Sequence, residues 1–293
     1  MIHPGALGDV LLAVPALRAI RAAGVSITIA AQSRIGALLV ALGIAERAVP
    51  FETLGLEALF TDAALRDDAP LTRHLADVDR VICWFGARDA HFSRRLRAMA
   101  ADVVIAPATT TTMPVWEHLL GTVGGVADRS PVTVAPRHVE AGRDALRAAG
   151  WNGSSRVLAL HPGAGSMSKR WPAEGFAAVL ETIEATVVVH QGPADADAVR
   201  ALSAHADSPL LGLPNPELST LAGVLSLCTA YLGNDSGVSH LAAAVGIPSV
   251  ILFTEPHLSW RPWSHSATSV TVSTARLMES DRSAVARALE KLR

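Results

Sequence analysis

The sequence predicts an α/β protein with two Rossmann-like domains, each built on a parallel, doubly wound sheet, and a ligand cleft between them. Three observations predict this. Short apolar, β-rich runs alternate with helical segments along the chain. The alternation pauses at residues 150–155, a Gly/Ser/Asn-rich stretch, and restarts at Val157. Two glycine-bearing loops, at 161–171 and 233–240, fall at the carboxyl ends of expected strands, where such sheets receive ligands. The 293 residues, half of them hydrophobic, suffice for two cores. The domains are accordingly set at 1–150 and 151–293.

Taken in order, residues 1–3 form a stub of strand, and Pro4 to Gly8 a tight loop. Asp9 opens a helix to about residue 21, with Val10, Val14, Leu17 and Ile20 on one face. Strands are expected at 26–31, 48–51, 79–85 and 102–106, and helices at 35–42, 90–100 and 115–123. Residues 53–77 are polar and irregular, with short helices. Residues 131–136 are extended and 139–149 helical. In the second half, strands at 157–160, 186–190, 229–232 and 249–254 alternate with helices at 172–183, 195–205, 218–228 and 238–245. Pro172 suits the first turn of its helix, and Gly246-Ile-Pro248 closes the helix before it. An amphipathic last helix, about 280–292, is a candidate to pack back on the first domain.

Composition excludes several classes. A net charge of -2 gives no support for nucleic-acid binding. Gly, Pro or a charge interrupts every apolar run before it reaches a membrane span. The apolar N-terminal stretch has no basic region and carries Asp9, so it is not read as a signal peptide. Cys83 and Cys228 are far apart in sequence, which points to a reduced, cytoplasmic chain without a disulfide framework. No Cys/His group has zinc spacing. Asp195-Ala-Asp197 reads as helix capping, so neither metal nor cofactor is expected.

The loop at 233–240 contains Gly233-Asn-Asp-Ser-Gly-Val-Ser-His240. Glycines flank the start of a helix, whose unpaired N–H groups and positive dipole end suit phosphate. The 161–171 loop places glycines, Ser166, Ser168 and Lys169 just before another helix, and can offer amides, hydroxyls and a cation to a diphosphate. Lys169 and Lys291 are the only lysines, the other basic residues being Arg; a compact charge is therefore wanted at 169. Gly5-Ala-Leu-Gly8 lacks dinucleotide-fold spacing.

Together, Gly5-Ala-Leu-Gly-Asp9, His161-Pro-Gly-Ala…Ser-Lys169-Arg-Trp-Pro172 and Gly233-Asn-Asp-Ser-Gly-Val-Ser-His240 resemble glycosyltransferase family 9, the ADP-heptose:lipopolysaccharide heptosyltransferases of GT-B fold. The motifs come in the family's order along nearly the whole chain. The resemblance implies inverting, metal-independent sugar transfer from a nucleotide-diphosphate sugar, most simply heptose from ADP-heptose. The acceptor would be a lipid-linked or core oligosaccharide of lipopolysaccharide, and the enzyme cytoplasmic, with peripheral contact to the inner membrane. The second domain would bind the donor and the first the acceptor. Asp9 would be the general base, its alternative use being a helix cap. Lys169 would neutralise the departing diphosphate, or else be a solvated loop lysine. Gly163, Ser166, Ser168, Lys169, Asp195, Asp235, Ser236, Gly237 and His240 would form the donor site, with Asp195 at the ribose or serving as a plain cap. Gly8, Arg88 and His91 are the acceptor-side candidates, with Arg94, Arg95 and Arg97 extending positive charge along one helix. Leu213 to Pro216 would lie near the base. The alternatives are another nucleotide-sugar donor, an epimerase of the same fold, or a non-catalytic nucleotide-sugar-binding protein.

Overall fold

The structure, a computed structural model, describes residues 1–62, 66–67 and 69–292. Residues 63–65 and 68 of the expected irregular stretch at 53–77, and residue 293 at the end of the expected second domain, lie outside the described residues. The chain forms two compact units, Met1–Asp128 and Arg129–Arg293.

The first unit contains α1 (Leu7–Leu12), α2 (Val14–Ala22), β1 (Thr28–Ala31), α3 (Ser33–Ala41), β2 (Arg47–Pro50), α4 (Pro70–Leu75), β3 (Arg80–Cys83), α5 (Ala90–Arg97), β4 (Asp102–Ile105) and α6 (Val115–Val123). The single helix expected from Asp9 to about 21 is two helices. Pro15 stands in the first turn of α2 and has no N–H to carry the ladder across Ala13. Strands β1 and β2 pair in parallel, as do β3 and β4. The stub at residues 1–3 joins the pairs: Ile2 bridges both Ala30 and Cys83 in parallel. Three residues therefore occupy the middle of this sheet, and Ile2 is buried with Val81, Phe92 and Leu96.

The second unit contains α7 (Pro136–Ala148), β5 (Val157–His161), α8 (Ala173–Leu180), β6 (Thr186–Gln191), α9 (Ala196–His205), β7 (Leu210–Pro214), α10 (Leu218–Leu227), β8 (Ala230–Asn234), α11 (Gly237–Val245), β9 (Ser249–Phe253), β10 (Ala267–Thr271) and α12 (Glu279–Glu290). Its six-stranded sheet runs β10-β9-β8-β5-β6-β7, every pairing parallel. Strands β7 and β10 are edge strands that the sequence pattern does not announce. Chain order reverses between β5 and β8. That is the switch point, and the β5 and β8 loops both open there.

The units divide after Asp128, twenty-two residues before the break expected at 150. Residues 150–155 are a turn within the second unit, where Asn152 Oδ1 accepts the amides of Ser154 (2.9 Å) and Ser155 (2.8 Å). Helix α7 belongs to this unit because it packs backbone to backbone on α10. A Cβ on Gly142 would meet the Gly223 backbone, and one on Gly223 would overlap the His138 carbonyl. Gly223→Ala should therefore force the helices apart and cost about 1–3 kcal/mol. The check is the urea midpoint, and an unchanged midpoint would contradict this packing. Helix α12 also belongs here. Its Val285, Ala288 and Leu289 join Phe176, Leu180 and Val272 in the core of the second unit.

Both cysteines are free and buried, and burial pushes each thiol up to about 12. Among the described residues, no helix is long and apolar enough to cross a membrane.

Candidate functional site

Strand β8 ends in Asn234, which is fully buried and ties the two switch-point loops together. Its Nδ2 donates to Pro162 O at 2.8 Å, and its Oδ1 accepts from Trp171 N at 3.0 Å. Both ends of the 161–171 loop are thus pinned to β8. Thr274 Oγ1 adds a bond to Ser168 O at 2.8 Å.

That pinning brings Lys169 to Asp235. Lys169 Nζ lies 2.7 Å from Asp235 Oδ2, and His240 Nε2 lies 3.7 Å from Asp235 Oδ1. Asp235 and His240 are buried, whereas Lys169 keeps about a quarter of its side chain exposed, at 23 %. Burial works to raise the Asp235 carboxyl, but His240 and then Lys169 outweigh it and hold the group below the ordinary carboxylate range. A depressed folded value means the carboxylate's contribution to stability is present above the unfolded value and lost as pH falls through the folded one. Asp235 is therefore placed as a hydrogen-bond acceptor, with Lys169 Nζ as its donor, rather than as an acid.

Ser236 is the N-cap of α11, its Oγ accepting from Ser239 N at 3.3 Å. Gly237 is the first helical residue. Behind the cap, Tyr231 Oη meets Ser239 Oγ at 2.8 Å, and Ser239 Oγ also donates to Asn234 O. Gly233 is required here, because a Cβ would strike the Tyr231 hydroxyl. The start of α11 is thus a rigid dipole end beside Lys169 and Asp235. Ser166 and Ser168 are exposed on the other loop, with Oγ atoms 3.0 Å apart.

At the end of β6 the loop turns into Asp195. Asp195 occupies the N-cap position of α9, but its side chain caps nothing there, which corrects the capping reading. Its Oδ2 accepts from Gly192 N at 2.9 Å and lies 3.8 Å from His161 Nε2, while its Oδ1 is 3.9 Å from Arg170 Nη2. A Cβ on Gly163 would fall on the Asp195 carboxylate, so Gly163 holds a close approach between the β5 and β6 loops. His190 Nδ1 and His161 Nδ1 are 3.2 Å apart. Burial, more than Asp195 can offset, lowers the His161 imidazole, which is neutral. Among the described residues, His161, His190 and Asp195 form the group whose ligand-type atoms lie close enough for a metal, within 4.8 Å of one another. Sequence spacing gives no sign of it. The Arg170 guanidinium and the Gly192 amide already face its carboxylate, which suits a hydrogen-bonded network better than a cation.

Leu213 and Pro214 end strand β7, and Asn215 follows with φ 38°. Its amide donates to Gln191 O at 2.7 Å.

In the first unit, Asp9 is the third residue of α1, and its Oδ2 accepts from Ala6 N at 3.2 Å. It therefore serves the helix start from inside the first turn. Gly8 is half-buried beside it. Gly5 is enclosed: a Cβ there would be 2.7 Å from His3 Cε1 and 2.9 Å from Asp9 Cβ. His3, fully buried, accepts from Gly5 N at 3.2 Å, and burial lowers its imidazole to about 4. Asp89 caps α5, its Oδ1 accepting from Phe92 N at 2.8 Å. His91 Nε2 lies 3.1 Å from Thr61 O and its Nδ1 2.9 Å from Arg94 Nη2, so that ring is held by its neighbours. Arg88 precedes the cap.

Two α/β units with parallel sheets, the second with glycine-bearing loops at its switch point, match the GT-B class of glycosyltransferase folds. The chain belongs to glycosyltransferase family 9 (heptosyltransferase), whose family model matches residues 118–288. Among curated proteins, a lipopolysaccharide heptosyltransferase 3 of Escherichia coli is 30% identical over 122 residues, 37% of this chain and 34% of that protein. The similarity to the curated relatives thus spans about a third of their length. Among solved structures, the family 9 glycosyltransferase of Veillonella parvula DSM 2008 superposes with a TM-score of 0.76 at 17% identity, covering 99% of this chain and 95% of that one. The E. coli ADP-heptose lps heptosyltransferase II gives 0.73 at 19% identity, covering 99% and 97%. The E. coli heptosyltransferase WaaC with ADP gives 0.68 at 16%, covering 100% and 98%.

Proposed function

We propose that this chain is a glycosyltransferase that moves a sugar from a nucleotide-diphosphate sugar, ADP-heptose above all, to a hydroxyl of a lipopolysaccharide-core or lipid-linked glycan. The observation that carries the reading is the Lys169–Asp235–His240 cluster beside the N-terminus of α11. The family relatives support it, one of them solved with ADP. The leaving group in this chemistry is a diphosphate, and a site that stabilises it needs fixed positive charge where negative charge develops. Lys169 and the amides at the start of α11 supply that charge. Ser166 and Ser168 offer hydroxyls, and Asp195 serves the donor ribose.

On the acceptor side, Asp9 takes the proton of the attacking hydroxyl. The new bond forms on the face of the anomeric carbon opposite the departing diphosphate, so configuration inverts. Gly8, Arg88 and His91 are the acceptor-side groups. The place of action is the cytoplasm, in peripheral contact with the inner membrane where a lipid-linked acceptor is presented.

A thermal-shift panel of ADP-, GDP-, UDP- and dTDP-sugars tests the donor. Ligands that bind only the native state raise its melting temperature, and the ADP-sugar should raise it most. A panel with no shift, or with another base preferred, would contradict the assignment. Because Lys169 and helix amides carry the diphosphate, transfer should survive excess EDTA. Loss of activity on chelation, restored by magnesium, manganese or zinc, would show a metal role and would point first to His161, His190 and Asp195.

A further inference from the structure

We propose that His257 is an additional donor-binding residue, an imidazole that takes up a proton and hydrogen-bonds the diphosphate when the donor enters beside Lys169. The inference rests on the donor-site reading and adds a side chain that lies outside all three sequence motifs.

The placement follows from the sheet. Strand β9 runs beside β8 with Asn234 opposite Leu252. Asp235 N donates to Leu252 O at 2.8 Å, so the Asp235 turn rests on the end of β9. Thr254, just past that end, stands at the N-cap position of the 3₁₀ turn Glu255–Trp260, which carries His257. His257 therefore leaves the sheet next to the Asp235 turn. Its ring is oriented by two neighbours: Nδ1 lies 2.7 Å from Thr254 Oγ1, and the Trp260 ring packs at 6.0 Å. Among the described residues Nε2 has no hydrogen bond. The ring is thus fixed by one nitrogen and presents the other.

The electrostatics give it a task. The charges that act on His257 are Lys169, from the β5 loop, and Asp235, from the β8 turn. His240 stands at 3.7 Å on the far oxygen of Asp235. On its own turn, Glu255 is exposed and Arg261 donates to Leu258 O. Burial lowers the imidazole first and Lys169 lowers it further, against a smaller opposing effect of Asp235, so His257 is neutral before the donor arrives. Lys169 is already matched by Asp235, and the pair's net charge is zero. A diphosphate brings two negative charges to that neutral pair. It reverses the field at His257, and an imidazolium becomes the favoured form. Affinity should then fall as pH rises through the neutral range, because the proton that must be taken up becomes scarcer.

The test is calorimetric titration with ADP-ribose, whose diphosphate is esterified at both ends and exchanges no proton near neutrality. Titrations near neutral pH in two buffers of different ionisation enthalpy count the protons taken up. The wild-type protein should take up a substantial fraction of a proton and bind more weakly as pH is raised. His257→Asn should abolish that uptake, weaken binding about tenfold or more, the effect of one charge-assisted hydrogen bond, and flatten the pH dependence. His257→Lys should restore affinity without proton uptake. Unchanged uptake and affinity in His257→Asn would overturn the inference while leaving the donor site intact. Failure of the wild-type protein to bind ADP-ribose at all would instead overturn the donor reading, and this inference with it.

Discussion

Asp9→Asn is expected to lower turnover by roughly 10²–10⁴, the range of a positioned general base, while folding stability and donor affinity stay near wild type. The substitution separates two uses of one side chain. Asp9 Oδ2 accepts the Ala6 amide, and an Asn oxygen can accept the same bond. It cannot take a proton. Donor affinity should persist, because the residues proposed to bind the donor belong to the second unit. Asp9→Ala should lose the helix-start bond as well, at a cost of about 0.5–2 kcal/mol. If Asp9 only supports the helix, the order inverts: Asp9→Asn is nearly silent, and Asp9→Ala loses stability with activity following it. Turnover, donor affinity and melting temperature of both variants decide between the two.

Lys169→Ala should lower donor affinity and turnover together, with turnover falling by about 10²–10³, as for loss of one strong electrostatic contact to a developing charge. It also strands Asp235, a buried carboxylate left with His240 as its remaining side-chain neighbour at 3.7 Å. Removing one partner of a buried pair costs several kcal/mol. Here about 1–3 kcal/mol is expected, since Lys169 keeps access to solvent. Lys169→Arg should rescue stability more fully than turnover. Its planar fork can reach Asp235, but its bulk displaces the compact charge from the diphosphate. Chemical denaturation and steady-state kinetics on the two variants read both effects. Normal kinetics in Lys169→Ala would return this residue to the surface.

Much of the geometry of the two switch-point loops is legible in residue types. Gly233, Ser236 and Gly237 announce a tight strand-to-helix turn, and a lysine in an Arg-rich chain stands out on composition alone. The fold class is legible for a related reason, since strands buried on both faces, such as β5, β8 and β9, are continuous apolar runs. Edge strands β7 and β10 are not. They are partly exposed and break the apolar run, and Gly212 and Pro214 disguise the first of them. Composition misplaces the domain boundary because a Gly/Ser/Asn turn inside a unit and one between units look alike. What assigns α7 to the second unit is the close approach of Gly142 and Gly223, two residues 81 positions apart that no local window sees. The break between α1 and α2 is signalled by Pro15, but the apolar face running from Val10 to Ile20 masks it. The His161–His190–Asp195 group and His257 stay hidden because they assemble from different strands, and a lone histidine after a strand carries no pattern.

The central claim is transfer, and the direct measurement is nucleotide release from ADP-heptose with and without a lipopolysaccharide-core acceptor, followed by mass spectrometry of the acceptor. ADP release should depend on acceptor, the acceptor should gain one heptosyl unit, and Asp9→Asn should stop both while still binding donor. A wild-type protein that binds ADP-heptose but neither releases ADP nor modifies the acceptor would contradict the account and leave a nucleotide-sugar-binding protein in its place.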